Sequence, residues 1–188
     1  MKSLRHPTAI KFAFMLTIAS LASAATADEH DYGKLLAVVS KSKMTLADGL
    51  KQAAAKSPEV SISGKFELDD HGALSLSIYT AEKGLGVDSE HNVLKELSGS
   101  PEGDKWQAKV EVFEDVEHVS RSAQQLTLMS LSPHTLLNIL KKAEKDQAGT
   151  VFSIAPALKD RKATFVVLVA NKGKVVELAY DLMTGEKK

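Results

Sequence analysis

The stretch ATFVVLVANKGKVVELAYD, residues 163–181, decides the fold class. Ala163 to Ala170 is almost continuously apolar, Asn171-Lys172-Gly173-Lys174 is a turn, and Val175 to Asp181 runs on as a second extended segment. Two such runs joined by a short glycine-bearing turn read as an antiparallel hairpin. The unbroken apolar character of the first run predicts a central strand covered on both faces.

Toward the N-terminus, Val151 to Leu158 reads as a strand interrupted by Pro156, and Lys159-Asp160-Arg161-Lys162 is the turn that joins it to the hairpin. Ahead of it, Leu136, Leu137, Ile139, Leu140 and Ala143 recur at helical spacing. Ser132 is placed to cap that helix, with Pro133 at its first position and Lys141, Lys142 and Lys145 near its end, where cations favour the helix dipole. Thr184-Gly185 makes a final turn.

The same order is spelled upstream. Thr45 stands before the helical stripe Leu46, Leu50, Ala53 and Ala54, Asp48 at the third helical position favours that terminus, and Ser57-Pro58 ends the helix. Val60, Ile62 and Gly64 then alternate with Ser61, Ser63 and Lys65, and the pattern continues through Phe66 and Leu68 to the turn Asp69-Asp70-His71-Gly72. Leu74, Leu76 and Ile78 form a second strand, Leu85 to Val87 a short third, and Asp88 to Asn92 another turn. The expectation is an α+β fold of two repeated modules about ninety residues apart, each a helix packed on a small antiparallel sheet.

Ser98 to Asp104, rich in Ser, Gly and Pro, reads as the linker, giving modules at residues 28–97 and 105–188. Beyond it Trp106, Ala108, Val110 and Val112 alternate with polar residues, which predicts a strand with its tryptophan on the buried side. The middle of Glu114 to Met129 reads as helical, and Leu35 to Val39 suits the packed face of a helical turn or two.

The first 27 residues have the order of a cleavable secretory signal. Lys2, Arg5 and Lys11 precede the apolar run Phe12 to Leu21, and small residues follow through Ala27. That run is about half the length of a bilayer-spanning helix. With no Cys for lipid attachment, the expected product is a freely soluble periplasmic or secreted protein with no membrane anchor after cleavage. The whole chain carries 24 basic and 24 acidic residues, and cleavage after Ala27 leaves 21 against 24. That mildly acidic balance, without a basic cluster among aromatics, argues against nucleic acid. Zero cysteines also mean a fold resting on its core alone.

No constellation for catalysis stands in the chain. There is no Cys nucleophile, no Gly-x-Ser-x-Gly elbow and no phosphate-cradling glycine loop, and Glu114, Asp115 and Glu117 lie in a polar stretch that suits a solvated face. His71, His91, His118 and His134 lack partners at zinc spacing. Asp69-Asp70-His71 offers too few oxygens for a hard cation. Asp28-Glu29-His30, at a new N-terminus, has the amine and third-position histidine that wrap square-planar Cu(II) or Ni(II). Asp181, ahead of Thr184 and Gly185, reads as a turn-builder bonding its own backbone.

Three segments carry a family likeness: Thr45-Leu46-Ala47-Asp48-Gly49-Leu50 opening the first helix, the two hairpins, and the ending Tyr180-Asp181-Leu182-Met183-Thr184-Gly185-Glu186. They resemble the PepSY family of small exported modules, and the second half matches better than the first. The resemblance implies a non-catalytic binding module without cofactor, one that restrains or modulates a peptidase or another envelope protein through a protein or peptide partner. The alternative expectation is a small-ligand or metal-binding periplasmic protein.

Overall fold

A computed structural model describes residues 29–55, 57–103 and 105–188. The expected signal segment and Asp28 lie outside the described residues, as does the side chain of His30. The elements are α1 Glu29–Val39, α2 Leu46–Ala53, β1 Val60–Leu68, β2 Leu74–Ala81, β3 Leu94–Gly99, β4 Lys109–Val112, α3 Val116–Leu131, α4 Leu136–Asp146, β5 Thr150–Lys159, β6 Lys162–Asn171 and β7 Lys174–Asp181. The described strands form one seven-stranded antiparallel sheet in the order β4-β3-β2-β1-β5-β6-β7, combined with four helices in a mixed α/β fold.

Helices lie on both faces of this sheet. Gly64 of β1 is the contact point for α2, since a Cβ there would lie 2.7 Å from Ile78 Cδ1 and 3.2 Å from Leu46 Cδ1. Its bare Cα lets the helix sit close to the strands. On the same face Tyr180 donates from its hydroxyl to Asp146 at the end of α4, 2.8 Å away. The opposite face is crossed by α3, where Ser63 donates to Gln125 Oε1 at 2.6 Å in a buried contact. Buried side chains from both halves, among them Leu46, Ile62, Ile139, Ile154 and Phe165, form one core.

The turns follow from residue chemistry. Asp160 and Arg161, with φ of 50° and 63°, make a two-residue β5–β6 turn, and Lys172 and Gly173, at 49° and 73°, make the β6–β7 turn. Two left-handed positions in succession match the right-handed twist of the flanking strands. Thr45 caps α2 with the reciprocal Asp48 bond expected from the sequence.

Several expectations need correction. The helix cap in the second half is Thr135, not Ser132: Thr135 accepts from Asn138 N, while Ser132 closes α3 and donates to Leu182 O at 2.8 Å. Leu85 to Val87 is a turn, and the third strand is β3. Asn92 holds that loop, donating to Gly84 O and Val87 O and accepting from Lys83 N and Val93 N. At the loop's foot Lys95 pairs with Glu59 at 3.2 Å and Glu82 at 2.9 Å.

Residues 98–103, expected to lie in a linker, end β3 and open the connection of a hairpin. Ser98 and Gly99 belong to β3, Pro101 is buried, and the chain returns as β4 beside β3. The expected boundary therefore falls inside a paired hairpin, and β1 pairs with β5 to join the halves in one sheet. β6 lies one strand in from the edge rather than at the centre; Phe165, Val167 and Val169 are fully buried, whereas Val166, Leu168 and Ala170 are half-buried. Pro156 does not break β5, whose ladder with β6 continues to Lys159.

Candidate functional site

The sheet ends in two edge strands, β4 and β7, and their construction differs. β4 is exposed at all four residues. Its first anchor is Trp106, whose indole donates to Gly99 O at 3.3 Å. Gly99 has no room for a side chain there, because a Cβ would lie 2.9 Å from Gln107 O. Its second anchor is Phe113, which stacks between Tyr79 at 5.6 Å and His118 at 5.1 Å. Asp115 then starts α3 by accepting from His118 N, and its other oxygen holds the His118 ring at 2.7 Å.

Between these anchors the alternation is set by one bond. Phe113 N donates to Leu94 O, so Phe113, Glu111 and Lys109 direct their backbone groups inward to β3. The N–H and C=O groups of Val110 and Val112 therefore point away from the sheet. Their side chains are 59% and 52% exposed, and Val116 in the next turn is 84% exposed. The sequence alternation foresaw the buried tryptophan; it did not foresee that the two valines behind it are uncovered.

At β7 the chain covers the last three residues of its own edge, Ala179 to Asp181. Asp181 N donates to Glu186 O and Lys188 N to Ala179 O, with Tyr180 bridged to Lys187. The preceding turn is built by Asp181, whose Oδ1 accepts from Met183 N at 2.9 Å and Thr184 N at 3.1 Å, while Oδ2 pairs with Lys188 at 3.2 Å. Those amides, with Lys188, hold the Asp181 carboxyl below its ordinary value. Gly185 closes the turn at φ 64°, and Lys142 donates to its carbonyl at 2.8 Å. The Asp-x-x-Thr-Gly ending thus acts in the turn-building role read from the sequence.

On β1 and β2 a polar row crosses the α3 face of the sheet. Ser77 donates to Glu67 at 2.6 Å, Glu67 pairs with Lys65, and the Lys65 ammonium lies 5.8 Å from the centre of the Tyr79 ring. Burial pushes the Tyr79 hydroxyl up to about 12, so it stays protonated at neutral pH.

The remaining sequence candidates are separate from one another. Asp69 accepts from His71 N and Ala73 N in the β1–β2 turn. Asp88, Glu90 and His91 each bring one ligand atom within 4.8 Å of the others, all exposed. Asp88 Oδ1, however, already accepts from Glu90 N and His91 N and contacts the His91 ring at 2.9 Å. The hydrogen bonds from His91 lead the causes that lower the Asp88 carboxyl. Glu117 pairs with Arg121 on α3. His134 Nε2 is buried without a hydrogen-bond partner, against Gly185.

No family model matches the chain, and no curated protein matches it. A solved structure, a candidate lipoprotein of Clostridium difficile 630, is similar with a TM-score of 0.40 and 14% identity, over 78% of this chain and 91% of its own. The PepSY resemblance thus stands on the sequence motifs without a family match. Among the described residues no helix is long and apolar enough to cross a membrane.

Proposed function

We propose that the protein is an exported, non-catalytic binding module of two divergent PepSY-like repeats that receives an extended protein or peptide segment at its β4 edge. The observation that carries this reading is the row of outward-facing Val110 and Val112 backbone groups on an anchored strand whose outer side no other described segment pairs. An edge of this kind adds a partner strand by main-chain hydrogen bonds, with alternate side chains giving selectivity. Modulation of a peptidase is one use of such an edge, since an extended segment is what a peptidase engages.

The two-repeat part of the reading is supported by positions ninety residues apart. Leu46, Leu50 and Ala53 are buried on α2, and Leu136, Leu140 and Ala143 on α4. Register shifts fall at Ser61/Ser63 in β1 and at Val151/Ser153 in β5, and Gly64 pairs with Ile154 across the seam. Export is supported by the signal-like order of residues 1–27.

The test is peptide selection from a displayed library against wild-type protein and Val110→Pro. Proline there removes a donor that faces away from β3, so the fold tolerates it. Selected peptides are expected to bind the wild type and lose about 100-fold in affinity on the variant, as several main-chain bonds are lost together. Binding that is indifferent to the substitution would show that the edge is not the site.

A further inference from the structure

We infer that the segment β4 receives is the β4 strand of a second copy of this chain, making a two-fold dimer whose sheet continues from one protomer into the next. This rests on the reading of β4 as the binding edge and names its occupant.

The argument is the self-complementarity of Lys109-Val110-Glu111-Val112. An antiparallel pair of identical strands has a two-fold axis through one residue position. Outward backbone groups lie on Val110 and Val112, so centring the axis on Val110 lets the two Val110 residues exchange both main-chain bonds. That register places Lys109 of each copy directly opposite Glu111 of the other. Both pairs occupy the closely spaced, non-hydrogen-bonded positions, where cross-strand side chains interact best.

Both charges are available for this. Among the described residues neither Lys109 nor Glu111 forms an ion pair within its own chain. Glu111 moreover faces Glu96 across the β3–β4 ladder, a like-charge pairing that a partner lysine would offset. Moving the axis to Glu111 would set two glutamates opposite each other, so charge selects the register. The exposed valines meet on the opposite face.

A four-residue seam is small beside the roughly 1,200 Å² of a standard interface, so the dimer is weak, with a dissociation constant on the order of tens of micromolar. Sedimentation of the purified protein across concentration tests it. Wild type is expected to pass from monomer to dimer, Val110→Pro to stay monomeric, and Lys109→Glu to weaken the dimer about fivefold through two like-charge pairs. The double variant Lys109→Glu/Glu111→Lys is expected to restore it.

A wild type that remains monomeric near 1 mM, on the order of the weakest specific association, would overturn the dimer. If Val110→Pro still abolishes peptide capture in that case, the edge reading stands and only its occupant is wrong. A dimer unchanged by both charge variants would place the contact elsewhere. Should Val110→Pro fail to fold, the charge swap decides alone.

Discussion

The two edges of the sheet face the same problem and solve it differently. β7 is paired along its last residues by the chain's own C-terminal segment, through Asp181 to Glu186 and Lys188 to Ala179. Among the described residues β4 has no such cover, and Val110 and Val112 are exposed there. Natural sheets blunt an edge with charge, brevity or a covering segment, because unpaired ladder groups recruit other strands. One edge here is closed at its C-terminal end by a built turn and left bare at Val175 and Glu177, and the other is short and held between Trp106 and Phe113. On the reading proposed above, the contrast favours β4 over β7 as the edge that recruits.

Proline makes the sharpest cut through that comparison. Val110→Pro is expected to abolish recruitment, whereas Val175→Pro, also at an edge-strand position, is expected to leave peptide capture within about twofold. Equal losses from both substitutions, measured by titration calorimetry, would erase the distinction between the edges.

The cover at β7 rests on Gly185. A side chain there meets His134 Nε2 at 2.8 Å in a left-handed backbone, so Gly185→Ala is expected to lower stability by about 1–3 kcal/mol in denaturant melts. The same variant is expected to speed amide exchange at Lys188 without changing exchange at β4. Unaltered Lys188 exchange would mean that the turn does not hold the cover in place.

Acid tests the same turn more gently. The folded Asp181 carboxyl titrates below its unfolded value, so its contribution is full above about pH 4 and fades as pH falls through the folded value. The Met183 and Thr184 amides are expected to lose protection in that acid window, and Asp181→Asn to reproduce the loss at neutral pH. Protection that is flat from pH 6 downward in the wild type would contradict the carboxylate's role.

The sequence carried the hairpins well, because Val60 to Leu68, Leu74 to Ile78 and residues 163–181 have a period of two or an unbroken apolar run between turn residues. It also carried the α2 cap, where Thr45 and Asp48 are three apart. Other features depended on contacts remote in sequence. Ser132 and Thr135 both suit a helix start, and the choice was made by Leu182 accepting the Ser132 hydroxyl. Leu85 to Val87 has strand-like composition, yet Asn92, bonded to Lys83 N, Gly84 O and Val87 O around it, ties the segment into a loop.

The candidate edge was half legible. Alternation from Trp106 to Val112 marked a strand, but no local pattern tells an edge valine from a core valine. That distinction arises from sheet order, which depends on β1 meeting β5 across the middle. The short β1–β5 seam has no signal in either strand by itself.

The most direct test follows backbone amides of the protein by NMR as a library-selected peptide is added. Shifts and slowed exchange are expected at Val110 and Val112, with Val175 and Glu177 of β7 unchanged. Perturbation centred on β7, or spread over the polar row of Lys65, Glu67 and Tyr79 while Val110 stays unaltered, would contradict the account.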